Sequence, residues 1–480
     1  MPLLDPGAAR EKRWVVGLLI LALMLRLGFV LMQPSGFYFF DSVEFDRAAR
    51  TLLDLGRFHH SYEHLPGYPI FMAGVYALFG REVLPLRLVQ ALLSTGLCAL
   101  IWLLGRRLFG RRAGLLALAL CVFFPVQIVL PGIEYPLVVG SLAIWGGLTL
   151  QALRSGEPRR DFICLAGAGV LIGAACLTFE AGWAAAVFMG FWLLMEGGTL
   201  KRRAGASAVF TAAVLVTAIP FLVGMAESDD FRPVLKRAGV HLPAAPDSDA
   251  PLSQGNGTNL VEAKLTAMAE RPGFTLKHIA SEFVRFWNPY PDRLWAASAG
   301  FREKAHREDA RMRLQNPLVT NRKKLLYAAG FSVLLAGAAL GAFMARRKVV
   351  GWGFLAGWPV ALGLAYAPFF TQMRYRIPAD PAFFLLAAYA ADQLLEGELV
   401  NALRSLPAAL WEGWKRVALK IALVQTFLLL ALLFGLVLGP LSLLMKLFRK
   451  DPMEGVVQGS SFWVVREKTS EGLQECLRQF

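Results

Sequence analysis

Runs of about 20 apolar residues recur along most of this chain, and they constrain its fold more than any other feature. One run of that length is enough for a helix to cross the hydrocarbon core of a bilayer. Of the 480 residues, 56% are hydrophobic and only 18% are charged, which excludes an ordinary soluble protein. Backbone groups in lipid must be satisfied within the segment, so the spans are helical. The sequence predicts an all-α polytopic membrane protein with about eleven transmembrane helices.

Short clusters of Lys and Arg between the apolar runs set the predicted orientation. The link 105–112 carries four arginines, and later basic links fall on the same side when each apolar run crosses once. That side is therefore expected to be cytoplasmic. The run 67–80 is too short to span and is expected to be an interfacial helix in the first outward loop.

Residues 227–324 have the composition of a soluble region and predict an outward-facing, periplasmic module. A mixed stretch within it, 273–287, favours an amphipathic helix. The chain is then divided into an N-terminal transmembrane core with the first loop (1–226), the module (227–324), C-terminal transmembrane helices (325–450) and a tail of unassigned role (451–480).

Charge and cysteine content exclude several classes of protein. The net charge of +15 is spread over short links between spans, which indicates membrane orientation and not nucleic-acid binding. The five cysteines fit neither a disulfide framework nor a zinc site. No metal and no cofactor is expected.

Candidate chemistry lies in three loops that share the outward side. The first contains Asp41, Glu44 and Asp46, the second contains Glu134, and the third is Arg374-Tyr375-Arg376. A carboxylate at the mouth of a membrane cavity can act as a general base. Arginines beside a tyrosine can clamp a phosphate. The combination predicts chemistry on an anionic, lipid-borne substrate.

The motifs also follow one another in a recognisable order. After the first apolar helix come Asp41, Leu65-Pro66-Gly67-Tyr68-Pro69, the basic link 105–112, Glu134 and Arg374-Tyr375-Arg376-Ile377-Pro378. Over residues 10–395 this order resembles the C superfamily of membrane glycosyltransferases, in the bacterial branch similar to protein O-mannosyltransferases and the lipid A aminoarabinose transferase. The stretch 177–182 departs from that pattern, because it contains no basic residue where many relatives place one.

The resemblance implies an inverting glycosyltransferase in the cytoplasmic membrane. It would move a hexose or pentose from a polyprenyl-phosphate carrier to a lipid, polysaccharide or protein acceptor at the outer, periplasmic face. The resemblance implies that Asp41 is the general base and Glu134 a second catalytic acid. The residues expected to contact the substrates are Glu44, His60, Tyr68, Arg374, Tyr375 and Arg376.

Each of these residues also has a structural alternative. Asp41 and Glu134 are suited to capping helices, and Arg374 and Arg376 to anchoring a helix end at the interface. The histidines near His60 form no complete ligand set, so contact with sugar or acceptor is favoured over metal binding. For the whole protein, a transporter or flippase and a non-enzymatic assembly factor for a polysaccharide or glycolipid are the rival functions.

Overall fold

A computed structural model describes residues 6–33, 36–37, 40–58, 64–227, 266, 268–291, 321–346, 352–369, 371–396 and scattered positions between 411 and 431. The described elements are helical, which confirms the predicted all-α class. The chain divides into two compact units, Met1–Leu399 and Val400–Phe480. Every helix discussed below belongs to the first unit.

The helices are numbered here in chain order. They are α1 (Pro6–Met32), α2 (Phe40–Leu55), α3 (Gly67–Phe79), α4 (Val83–Phe109), α5 (Arg111–Phe123), α6 (Pro125–Val129), α7 (Leu137–Ala152), α8 (Pro158–Thr178), α9 (Ala181–Met195), α10 (Leu200–Glu227), α11 (Pro272–Phe286), α12 (Asn321–Ala345), α13 (Trp352–Tyr366), α14 (Met373–Arg376) and α15 (Asp380–Leu395).

Within the described part of the chain, five helices are long and apolar enough to cross a membrane: α1, α4, α8, α10 and α12. The bent pair α5–α6 with its following turn brings the number to six. The helices α7 and α9 are apolar but only 16 and 15 residues long. The larger number of spans expected from hydropathy therefore stays a prediction.

The apolar run 113–130 is long enough for one span, but the structure breaks it into a bent pair. The helix stops at Phe123, and α6 begins at Pro125 after a bend of 60°. Proline has no N–H to donate to the preceding turn and its ring clashes with that turn, so it ends the helix. The bend directs the chain into the short loop that carries Glu134 and Tyr135.

Close helix packing in the C-terminal part depends on one glycine. The helices α12 and α15 pack along their length, and Gly341 of α12 faces the backbone of α15. A Cβ added at Gly341 would lie 1.8 Å from the carbonyl oxygen of Leu386. Small residues at such contacts let two backbones approach in a membrane, where van der Waals packing drives association.

We expect Gly341→Ala to force α12 and α15 apart and to destabilise the protein by roughly 1–3 kcal/mol, as overpacking does in other cores. Gly330→Ala is the matched control, because it lies in the same helix with nothing within 4 Å of its added Cβ. The measurement is the thermal unfolding midpoint of the purified variants in detergent. Equal midpoints for the two variants would contradict the close contact.

Candidate active site

Asp41 lies in the first turn of α2, at the centre of a polar cluster. Its Oδ2 accepts hydrogen bonds from Arg374 Nη1 at 3.1 Å and from the Tyr135 hydroxyl at 3.2 Å. The Asp41 side chain keeps 19% of its surface exposed, whereas that of Arg374 keeps 10%. The carboxylate is therefore accessible to a substrate, and its counter-ion is nearly buried.

Aromatic rings hold the guanidinium of Arg374. Its Cζ lies 5.1 Å from the ring centre of Tyr135 and 5.3 Å from that of Tyr375. The ring of Tyr375 in turn stacks on that of Tyr366, with centroids 4.5 Å apart and planes 9° from parallel. A cation over aromatic faces is stabilised by the ring quadrupoles. The cluster thus fixes the position of the arginine before any ligand arrives.

The loop that carries Arg374 is anchored through the carbonyl of Pro378. This oxygen accepts an indole N–H from Trp145 of α7 at 2.9 Å and another from Trp358 of α13 at 3.2 Å. A carbonyl oxygen has two lone pairs, and both are used here. The loop is consequently bound to two helices at once.

Arg376 binds groups at the end of α11 and in α12. It donates to the carbonyls of Phe286 at 3.2 Å and Asn288 at 2.8 Å, and to the hydroxyl of Tyr327 at 2.9 Å. The amphipathic helix predicted at 273–287 corresponds to α11, whose residues Phe283 and Phe286 pack against Gly363 of α13. These contacts support an anchoring role for Arg376.

Glu134 is fully buried and forms an ion pair with Arg87 of α4. Arg87 Nε donates to Glu134 Oε1 at 2.5 Å, and Arg87 Nη2 donates to the carbonyl of Gly36 at 2.8 Å. The hydroxyl of Ser42 in α2 donates to the carbonyl of Glu134 at 2.8 Å. Burial raises the pKa of Glu134 above its usual value, although Arg87 opposes that rise. The pair joins the first loop, α2 and α4.

Tyr68 is completely buried at the start of α3. Its hydroxyl donates to Gln90 Oε1 at 2.8 Å, and Gln90 Nε2 donates to the carbonyls of Pro131 and Ile133 at 2.9 and 3.0 Å. The chain of hydrogen bonds connects α3 to the loop before α7. This geometry supports a positioning role for Tyr68.

Glu44 lies one helical turn beyond Asp41, and its Oε2 lies 2.8 Å from His64 Nε2. The ring of Phe45 contacts His64, with centroids 4.7 Å apart. The predicted substrate contact His60 lies outside the described residues. Glu44 and His64 thus form a polar pair beside the site.

Glu180 follows the end of α8 and is exposed. Burial raises the pKa of the Tyr135 hydroxyl well above its usual value. Arg374 opposes that rise, and the negative charges of Asp41 and Glu180 add to it. Tyr135 therefore keeps its proton at neutral pH and acts as a donor to Asp41. Glu180 is therefore close enough to the cluster for its charge to act on Tyr135.

Sequence reasoning missed two residues of this site. Arg87 lies within the apolar run that forms α4, where an ionisable residue is itself a signal of function or pairing. Tyr135 lies beside Glu134, but nothing in the sequence shows that its hydroxyl meets Asp41. The catalytic role expected for Glu134 stays a prediction, and its contacts support positioning.

Comparisons with known proteins agree with the fold. Residues 63–223 match the dolichyl-phosphate-mannose-protein mannosyltransferase family. No curated protein matches the chain. The archaeal oligosaccharyltransferase AglB from Archaeoglobus fulgidus, in complex with an inhibitory peptide and a dolichol-phosphate, is similar with 15% identity and a TM-score of 0.50, over 82% of this chain and 52% of that one.

ArnT from Cupriavidus metallidurans is similar in two states. The apo structure shares 16% identity at a TM-score of 0.52, and the structure bound to undecaprenyl phosphate shares 17% at 0.51. Both cover 83% of this chain and 63% of ArnT. The chain thus spans between half and two thirds of the length of these structures, and at such identities the likeness is one of fold.

We expect Arg87→Ala to destabilise the protein by about 3–5 kcal/mol, because it leaves the Glu134 carboxylate buried without its counter-ion. Arg81→Ala is the matched control, since Arg81 pairs with Asp54 at the exposed surface. Unfolding midpoints in detergent compare the two variants. A loss for Arg87→Ala no larger than that of the control would show that the buried pair does not hold the loop.

Proposed function

We propose that this chain moves a sugar from a polyprenyl-phosphate carrier to an acceptor, on the basis of the family match over residues 63–223 and of the fold that it shares with AglB and ArnT. The reaction takes place at the outer face of the cytoplasmic membrane. Asp41 serves as general base, and Arg374 binds the phosphate of the carrier.

One observation carries this proposal: Asp41 and Arg374 are 333 positions apart in sequence and meet at 3.1 Å. The first outward loop and the late basic loop therefore form one site. A base and a phosphate-binding cation are the two groups that sugar transfer from a phosphate carrier requires, because one bond to oxygen forms as another breaks. A carboxylate that only capped its helix would not require a buried arginine from the far end of the chain.

The proposed step is a single displacement at C1 of the sugar. The acceptor hydroxyl gives its proton to Asp41 while its oxygen attacks C1 from the face opposite the phosphate. The bond between C1 and the phosphate oxygen breaks, the electron pair stays on the phosphate, and the configuration at C1 inverts. Arg374 stabilises the charge that develops on the leaving phosphate.

The other residues of the cluster act around these two. Tyr375 holds Arg374 in place and borders the phosphate site. Glu44, paired with His64, is suited to contact the acceptor or the sugar. Three further residues hold the loops in position through buried hydrogen bonds: Glu134, Tyr68 and Arg376.

Asp41→Asn is expected to reduce transfer by roughly a hundredfold or more, since the amide keeps the shape of the side chain and cannot accept the proton. The matched control is Asp54→Asn in the same helix, which also removes one negative charge and should retain parental activity. Purified protein is incubated with a panel of polyprenyl-phosphate sugars and membrane extract, and products are identified by mass spectrometry. Turnover by Asp41→Asn within a few-fold of the parent would contradict the role as base, and the absence of any product from the parent would favour a transporter or assembly factor.

The outer-face location predicts which exposed positions react with a membrane-impermeant maleimide on intact cells. Glu82→Cys, at the start of α4, is expected to be labelled from outside, and Glu157→Cys, at the start of α8, only after permeabilisation. Cys476→Ser serves as the background, because the other four cysteines are buried. Labelling in the opposite sense would move the site to the cytoplasmic face.

A further inference from the structure

The two groups that the proposed reaction needs are bound to each other in this structure. Arg374 Nη1 donates to the same Asp41 oxygen that the Tyr135 hydroxyl contacts. An opposite charge at this distance stabilises the ionised carboxylate and so weakens it as a base. A guanidinium engaged with a carboxylate also has fewer donors to offer a phosphate. The pair therefore prevents Asp41 from acting as a base and Arg374 from binding the phosphate.

Arg374 nevertheless retains capacity for a second partner. Its Nε is buried and contacts no acceptor among the described residues. The ion pair uses Nη1 alone, whereas a phosphate presents several oxygens that match the planar fork of a guanidinium. The rings of Tyr135 and Tyr375 border the guanidinium and keep it within reach of either anion.

From this geometry we infer that the Asp41–Arg374 pair is a lock that the carrier phosphate opens. The phosphate competes with the carboxylate for Arg374, and its binding releases Asp41 to act as a base. This inference rests on the proposed function and adds an order to it: the donor activates the site, and the acceptor hydroxyl is deprotonated only afterwards.

The hydroxyl of Tyr135 completes the exchange. When the cation moves to the phosphate, Asp41 keeps the hydrogen bond from the neutral Tyr135 hydroxyl, which holds the carboxylate without neutralising its charge. A carboxylate bound by a neutral hydroxyl is a stronger base than one paired with a guanidinium, because the nearby positive charge is lost. Asp41 thus becomes a stronger base once the polyprenyl-phosphate sugar is bound.

Competition of this kind makes a distinctive prediction about binding. Asp41→Asn removes the competing carboxylate, so the carrier phosphate should bind this variant more tightly than the parent, by roughly three- to thirtyfold. The gain in affinity accompanies a loss of transfer. A residue that merely supported the fold would weaken binding when replaced, or leave it unchanged.

The measurement is a titration with undecaprenyl phosphate in detergent, followed by tryptophan fluorescence, at constant salt and pH. Four proteins are compared with the parent: Asp41→Asn, Asp54→Asn, Arg374→Ala and the double variant Asp41→Asn with Arg374→Ala. Asp54→Asn controls for the loss of one negative charge elsewhere in α2. The double variant separates the lock from simple repulsion between Asp41 and the phosphate, since only the lock acts through Arg374.

The expected result is tighter binding by Asp41→Asn, unchanged binding by Asp54→Asn, weaker binding by Arg374→Ala, and no gain from Asp41→Asn once Arg374 is absent. An affinity of Asp41→Asn equal to or below that of the parent overturns the lock. A gain that persists without Arg374 also overturns it, because repulsion then accounts for the effect. Unfolding midpoints confirm that each variant is folded.

The outcome also separates this inference from the function on which it rests. If the parent transfers sugar and binds the carrier lipid but Asp41→Asn binds no more tightly, only the lock fails. If the parent neither transfers sugar nor binds the lipid, both proposals fail together.

Discussion

The buried ion pair between Arg87 and Glu134 is the interaction on which the site depends. It joins the N-terminal part of α4 to the loop before α7, and through Gly36 and Ser42 it reaches the segment before α2 and α2 itself. Two charges out of water are costly individually, and their mutual attraction offsets that cost only when the geometry is good. Asp41 occupies its position because the helix that carries it is attached to this pair.

A second buried arginine holds the opposite side of the site. Arg376 binds backbone carbonyls beyond the end of α11 and the hydroxyl of Tyr327 in α12. Arginines beside a tyrosine can clamp a phosphate, so the sequence predicts an anionic partner for both Arg374 and Arg376. In the structure, Arg374 pairs with the Asp41 carboxylate, whereas Arg376 binds backbone carbonyls. Neighbouring residues of the same type thus have different tasks, and sequence spacing alone does not separate them.

Hydropathy and charge along the chain were sufficient to predict the fold class and the loops that contribute to the candidate site. The all-α class is confirmed, and the resemblance drawn from the order of motifs agrees with the family match over residues 63–223 and with the fold of the similar solved structures. Such patterns are local, so they do not reveal that Tyr135 and Arg374 share one oxygen of Asp41, or that the Tyr68 hydroxyl is bound to Gln90. The bend at Pro125 was readable in principle, because proline inside an apolar run breaks the helix. The remaining roles emerge only from contacts between distant segments.

The two indole N–H hydrogen bonds to the Pro378 carbonyl determine how much of the site must move when Arg374 changes its partner. A backbone attached to α7 and α13 at that point stays in place while the side chain of Arg374, four residues earlier, changes its partner. The exchange between carboxylate and phosphate is then a rotation of one side chain. Exposed side chains rotate on a timescale of roughly picoseconds to nanoseconds, whereas loops move in roughly nanoseconds to microseconds. Burial slows this rotation, but the exchange requires no movement of the loop, so activation of the base does not wait for a rearrangement of the backbone.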